Sequence, residues 1–194
     1  MDLACGTGNA ALLAAARGAR VVGVDAAPRL LEVARQRAHA QGLELDLREG
    51  DLLALPVDDA GAEIVLSVFG VIFAADPIQA LREIARILRP DGRALLSAWV
   101  PAGPIDAMLG AMGLIVRRIT QTPARQRFAW FDPAAVGPLA IEAGLTLEGT
   151  TPGELAIRGA SPEAYVAGSQ EHPMSSLRGR SSRMPALNPS CGRR

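Results

Sequence analysis

The sequence predicts an α/β fold, a doubly wound and mostly parallel sheet with helices on both faces. Three observations carry the prediction. Short apolar runs alternate with helix-period segments over the first hundred residues. Val21–Val24 is a continuous apolar run and Ile64–Val68 an apolar run broken only by Ser67, as in strands buried on both faces. Gly and Pro stand where helices would end and begin.

The elements follow in order. Residues 1–3 supply only the end of a first strand before a glycine turn. Asn9–Arg17 is an alanine-rich helix closed by Gly18, and Val21–Val24 is the second strand. Pro28 opens a helix through Ala40 with Leu30, Leu31, Ala34 and Ala38 on its inner side. Leu43, Leu45 and Leu47 alternate with charged residues, a period-2 strand. After the strand at Ile64–Val68, Asp76-Pro77 starts a helix with Leu81, Ile84, Ala85 and Leu88 at helical spacing. Arg89–Gly92 reads as a turn and Ala94–Trp99 as the next strand. Beyond the break at Pro101–Pro104, Ile105, Met108, Leu109, Met112, Ile115 and Val116 form one apolar stripe. Asp132-Pro133 starts a further helix that Pro138 should shorten or kink. Leu145–Glu148 and Glu154–Arg158 are the candidate closing strands.

With 194 residues, 49% of them hydrophobic and 21% charged, the chain suffices for one such domain. All 20 positive residues are Arg; the absence of Lys excludes a phosphate-loop lysine, a Schiff-base lysine and a lysine nucleophile. Residues 1–168, expected to be the domain, hold 15 Arg against 19 acids; residues 169–194 hold 5 Arg against Glu171. The last 20 residues contain 5 Ser and 5 Arg and no acid, a disordered basic tail whose composition a shifted frame in GC-rich DNA would also produce. The zero net charge speaks against a dedicated nucleic-acid binder. Cys5 and Cys191 match neither a disulfide framework nor a zinc site, so no metal is expected. The N-terminal residues do not read as a signal peptide, and the longest apolar run falls short of the ~20 residues that cross a bilayer. A cytoplasmic location is the expectation.

The stretch that carries chemistry is Asp2-Leu-Ala-Cys-Gly-Thr-Gly8, followed by a helix and a strand ending in Asp25. Gly6 and Gly8 let a ligand approach the backbone closely. Asp25, at the tip of the second strand, is placed to accept hydrogen bonds from ribose hydroxyls. Gly6-x-Gly8-x-x-Ala11 also fits a dinucleotide fingerprint, which keeps an NAD(P)-dependent oxidoreductase open as an alternative. Asp2 discriminates: a carboxylate lining the loop repels a pyrophosphate and suits a ligand bearing an ammonium group. Carboxylates at these strand ends are expected to have little structural purpose.

Here the sequence resembles a family. Asp2–Gly8 is similar to motif I of class I S-adenosylmethionine-dependent methyltransferases. Val21–Asp25, Glu49-Gly-Asp51-Leu52, Leu55-Pro56, the strand Ile64–Val68 and Leu88-Arg-Pro-Asp-Gly92 resemble the later landmarks in order. The resemblance covers about residues 1–165 and is nearest to the ubiquinone/menaquinone-biosynthesis methyltransferase group. Phe69–Asp76, Ser161–Tyr165 and His172-Pro173 look like a widespread branch of it. It implies a Rossmann-like fold, S-adenosyl-L-methionine as cofactor and methyl transfer to a small-molecule acceptor. It further implies that Asp2, Ala4, Cys5, Gly6 and Gly8 surround the methionine moiety. Asp25 and Ala26 would hold the ribose, and Asp51 and Leu52 the adenine. Ser67, Val68 and Phe69 would line the floor beside the sulfonium, and residues 100–135 would form an acceptor-side insertion.

Two departures accompany the resemblance. Ala4 replaces the family's first Gly, a mild change if its backbone angles are ordinary. Motif I also begins at residue 2, so a non-catalytic remnant lacking the first strand and preceding helices is a third reading. Methyl displacement requires no general base; His172 is the histidine candidate and His39 a solvated one, so catalytic residues stay unassigned. Cys5 is expected to pack rather than react. Phe69, Phe73, Trp99, Met108 and Met112 are candidates for an apolar acceptor pocket, with a plain core role as the alternative. Arg117, Arg118, Arg125 and Arg127 are expected on a solvated face. No Asn/Asp-Pro-Pro-aromatic motif and no Pro-Cys nucleophile point to nucleic-acid methylation.

Overall fold

The computed structural model describes residues 1–103, 128–155 and Ser161, together with residues 106, 107, 110, 111, 113, 114, 118 and 121. Two compact units divide the chain, 1–151 and 152–194. Everything below concerns the first. The expected boundary at residue 168, the tail, Tyr165, His172, Cys191, Met108 and Met112 lie outside the described residues. So do Arg117, Arg125, Arg127 and the rest of the expected apolar stripe, Ile105, Leu109, Ile115 and Val116.

Five strands form one sheet: β1 (Asp2–Leu3), β2 (Val22–Asp25), β3 (Asp46–Glu49), β4 (Ala62–Val68) and β5 (Leu88–Ser97). Their order is β3-β2-β1-β4-β5 and every neighbouring pair is parallel. Helices α1 (Asn9–Ala15), α2 (Pro28–Ala40), α3 (Pro77–Ile87) and α4 (Pro133–Glu142) connect or flank them. The chain steps from β1 to β3 in one direction, then crosses back to β4 and on to β5. Right-handed crossovers therefore place α1 and α2 on one face and α3 on the other. The order reverses between β1 and β4, and in such sheets ligands bind outside the carboxyl ends of the strands at that reversal.

Side-chain pattern explains the layers. Leu3, Val24 and Val65 are each at most 1% exposed and meet Leu81, Ile84 and Ile87 of α3 in the main core. Ala11, Leu12, Leu30, Leu31, Ala34 and Ala38 are buried on α1 and α2, the inner stripe expected for α2. Asp76 caps α3 by accepting the N–H of Gln79 at 3.2 Å, and Asp132 caps α4 through Ala134 at 2.9 Å.

Several expectations are corrected. Helix α1 ends at Ala15, not Arg17, because the chain turns early: Gly18 at φ +85° lets the N–H of Ala19 reach the carbonyl of Ala14. Strand β3 begins at Asp46, three residues later than the Leu43–Leu47 alternation suggested. Arg89–Gly92 does not end an element. These residues lie within β5 as a bulge, since Ala62 pairs with Leu88 while Ile64 pairs with Arg93. Gly92 is needed there, where a Cβ would lie 2.9–3.1 Å from Leu88 and the carbonyls of Arg89 and Glu63. Helix α4 continues through Pro138 instead of stopping. Leu145–Glu148 is not a strand: it is irregular, with Leu145 against the core and Glu148 3.4 Å from Arg93. Glu154 and Leu155, the described residues of the other expected strand, belong to the second unit and are likewise irregular. No helix of the described residues is long and apolar enough to cross a membrane.

Candidate functional site

The turn after β1 is built on left-handed backbone. Gly6 has φ +55° and Gly8 φ +82°, and Ala4 joins them at φ +51°. The angles of Ala4 are thus not ordinary, which corrects the expectation of a mild replacement: an L-residue there is strained by roughly 1–2 kcal/mol. The turn is tied down by Cys5 N–H donating to the carbonyl of Val24 at 3.0 Å and Gly8 N–H donating to that of Cys5 at 2.9 Å.

Two buried carboxylates grip the same turn. Asp25, 8% exposed at the tip of β2, accepts the N–H of Gly6 through Oδ2 and that of Ala27 through Oδ1, both at 2.8 Å. Each oxygen retains a second lone pair. Asp2, 2% exposed, accepts the N–H of Ala11 at 3.0 Å. Ala11 is the third residue of α1, whose N-cap Gly8 offers no side-chain acceptor, so Asp2 caps the helix from the neighbouring strand. The expectation that these carboxylates lack a structural purpose is therefore wrong; both build the turn. Burial, reinforced by the charge of Asp25, pushes the Asp2 carboxyl up to about 6. Burial and the same two carboxylates push the Cys5 thiol up to about 12, which leaves it inert and agrees with a packing role.

The other sequence-predicted residues surround this turn in part. Ala26 is exposed beside Asp25, at the entrance to α2. Asp51 is exposed after β3 and accepts the N–H of Leu53 at 2.9 Å; Leu52 is half-buried. Ser67 is fully buried, donating to the carbonyl of Leu3 at 3.0 Å and accepting the N–H of Val71 at 2.9 Å. Its hydroxyl joins β1 to the turn after β4. Val68 is half exposed, and Phe69, at φ +55°, stacks on Trp99 with centroids 4.1 Å apart. A Cβ on Gly70 would sit 2.5 Å from that of Ala4, so the turns after β1 and β4 touch where only glycine fits.

Two clasps escape sequence reasoning. Glu83 on α3 accepts the N–H of Leu55 at 2.7 Å and the Arg86 guanidinium at 2.7 and 2.8 Å. Arg86 also donates to the carbonyls of Val57 and Leu55 and to Asp59, pinning the segment that follows Asp51 and Leu52. A charged pair at i, i+3, each member just before a core residue (Ile84 and Ile87), was the available signal. The second clasp is Arg37 of α2, which reaches Thr7 and Asn9; nothing in the sequence separates it from the exposed Arg35.

This sheet order, a left-handed glycine turn at the reversal and an acidic residue ending β2 define a doubly wound α/β domain of the kind that takes ligands at the reversal. Residues 1–96 match the family described as a methyltransferase domain, and the five-stranded parallel sheet with its helices is the Rossmann-like fold of solved S-adenosylmethionine-dependent methyltransferases. The chain is 43% identical over 119 residues to demethylmenaquinone methyltransferase of Thermus thermophilus, covering 60% of this chain and 52% of that one. It is 40% identical over 114 residues to the Deinococcus radiodurans protein of the same name, covering 58% and 46%. A Thermotoga maritima structure described as a SAM-dependent methyltransferase, possibly a histamine N-methyltransferase, shares the fold. Its TM-score is 0.55 at 24% identity, over 74% of this chain and 61% of that one. The chain spans about half the length of the curated relatives it matches.

Proposed function

We propose that the chain binds S-adenosyl-L-methionine outside the ends of β1, β2 and β4 and transfers its methyl group to a small-molecule acceptor. One observation carries this reading over a dinucleotide. The N–H groups of Gly6 and Ala11, which in a diphosphate site would face the anion, are already held by the carboxylates of Asp25 and Asp2. The turn therefore presents negative charge, which repels a pyrophosphate and attracts an ammonium group.

The residues present fit the cofactor. Asp2 with the backbone of Ala4, Cys5, Gly6 and Gly8 would hold the aminoacyl end, and the free lone pairs of Asp25, beside Ala26, would take the ribose hydroxyls. Asp51 and Leu52 would flank the adenine, and Val68 and Phe69 the sulfonium, with Ser67 holding that floor in place from beneath. When bound, the cofactor supplies a methyl group already activated on a sulfonium. The protein's part is to align the acceptor and exclude water, and such orientation is worth roughly 7–11 kcal/mol in favourable systems. A small apolar acceptor accords with the exposed Phe73, Trp99 and Val68 at this end of the sheet and with the name of the Thermus relative; a cytoplasmic location accords with such an acceptor.

The test is transfer of label from tritiated S-adenosylmethionine to a panel of small acceptors that includes reduced naphthoquinones. Label should appear on a small acceptor and fall at least 100-fold with Asp25→Ala. Label appearing on DNA, RNA or protein, and on none of the small acceptors, would overturn the reading.

A further inference from the structure

We propose that Arg37 is a positioning residue that holds the glycine turn in its ligand-competent shape; this rests on the proposed cofactor site. Arg37 lies near the end of α2, on a different element from the turn and thirty residues along the chain. A single guanidinium nitrogen, Nη1, donates to the Thr7 carbonyl at 2.7 Å, the Thr7 hydroxyl at 3.1 Å and the Asn9 side-chain oxygen at 2.7 Å. Thr7 stands between the two left-handed glycines, and Asn9 is the first residue of α1. The clasp thus bridges the turn and the helix it feeds.

The turn has reason to need such a clasp. Residues 4, 6 and 8 all adopt left-handed angles, a conformation that glycine visits freely but does not prefer strongly over its mirror. Asp25 and Asp2 grip Gly6 and Ala11 from the sheet side. The hydrogen bonds from Arg37 reach Thr7 from α2. Gly8 also packs against α2, where a Cβ would lie 3.2 Å from that of Ala34. Arg37 adds a charge-assisted tie beside that close contact, at a position only partly exposed. Arg35, two residues earlier, is exposed and makes a 3.4 Å bond to Leu47.

Ligand affinity falls in proportion to the fraction of molecules whose site is correctly formed. If the clasp keeps most molecules competent, releasing it weakens ligands that need the turn and spares ligands that do not. S-adenosylhomocysteine reaches the turn through its aminoacyl end; 5′-methylthioadenosine, which lacks that end, rests on Asp25, Asp51 and the floor. The pattern of donors also predicts which variant rescues. All three bonds come from one nitrogen, so a lysine ammonium, with three donors of its own, can replace part of the clasp.

The experiment is calorimetric titration of the full chain, wild type, Arg37→Met and Arg37→Lys, with both ligands, together with thermal melting. Arg37→Met should weaken S-adenosylhomocysteine about tenfold and methylthioadenosine less than twofold, and Arg37→Lys should recover at least half of the lost affinity on a logarithmic scale. Equal weakening of both ligands, or unchanged S-adenosylhomocysteine affinity, would overturn the proposal. Failure of the wild type to bind either ligand would instead overturn the cofactor reading beneath it. Should Arg37→Met melt below the working temperature, Asn9→Ala replaces it, with a smaller loss of the same selective kind expected and an unselective loss again contradicting the clasp.

Discussion

Asp2 ends up beside the turn as a buried carboxylate of β1 that accepts the N–H of Ala11, and burial raises its carboxyl from 3.8 to about 6. Because the folded value lies above the unfolded one, folding takes up a proton between these limits. Stability therefore falls as pH rises through the window from about 4 to 6, and the penalty is fully present above it, on the order of 2–3 kcal/mol. Asp2→Asn keeps an acceptor for Ala11 and removes the charge. It should raise the melting temperature by several degrees at pH 8 and by nearly nothing at pH 4, while weakening S-adenosylhomocysteine at least tenfold at pH 8. For the wild type, calorimetry should show that affinity dropping below pH 6, as the carboxylate that attracts the ammonium is lost. At Ala4 the demand is conformational. Ala4→Gly should stabilise the protein by about 1 kcal/mol, read as a 2–4 °C rise in melting temperature. The motif made both residues visible in the sequence, but not the φ of Ala4 or the capping bond of Asp2, since neither follows from residue identity without the path of the turn.

At the scale of elements, the clasp between α3 and the segment after β3 decides where Asp51 and Leu52 sit. Arg86 lowers the Glu83 carboxyl from its ordinary value through paired hydrogen bonds. Removing the guanidinium leaves a largely buried carboxylate with only Leu55 N–H, so Arg86→Met should destabilise by about 2–4 kcal/mol in urea unfolding. Glu83→Gln should cost less. The strands and helices that position the site were legible because each follows from a continuous apolar run or a 3.6-residue stripe: β2, β4, α2 and α3 fall where the pattern puts them. Elements set by long-range pairing were not. The bulge at Arg89–Gly92 looks like a turn locally, and only the register of β5 against β4 shows that the strand resumes. Leu145–Glu148 alternates like a strand, yet Leu145 turns into the core and no ladder forms.

For the whole molecule, the two ionisable groups act in opposite directions. Glu83, with a lowered folded value, stabilises above its unfolded value of 4.5 and loses that contribution as pH falls further. Asp2 relieves its penalty as pH falls toward 4. Stability should pass through a maximum near pH 4, which melting temperatures measured from pH 3 to 8 will show or deny. The doubly wound, parallel character of the sheet was readable from alternating elements, because right-handed crossovers leave few alternatives; the strand order came from the structure. The turn itself was readable from one acidic residue beside two glycines. What the sequence hid is that the protein's own carboxylates occupy the backbone donors, and that occupancy makes the turn electronegative. Titrating the chain with S-adenosylhomocysteine and with NADP+ at pH 8 measures this directly. A single saturable site for S-adenosylhomocysteine and no heat from NADP+ is the predicted result. Saturable NADP+ binding abolished by Asp25→Ala would contradict it.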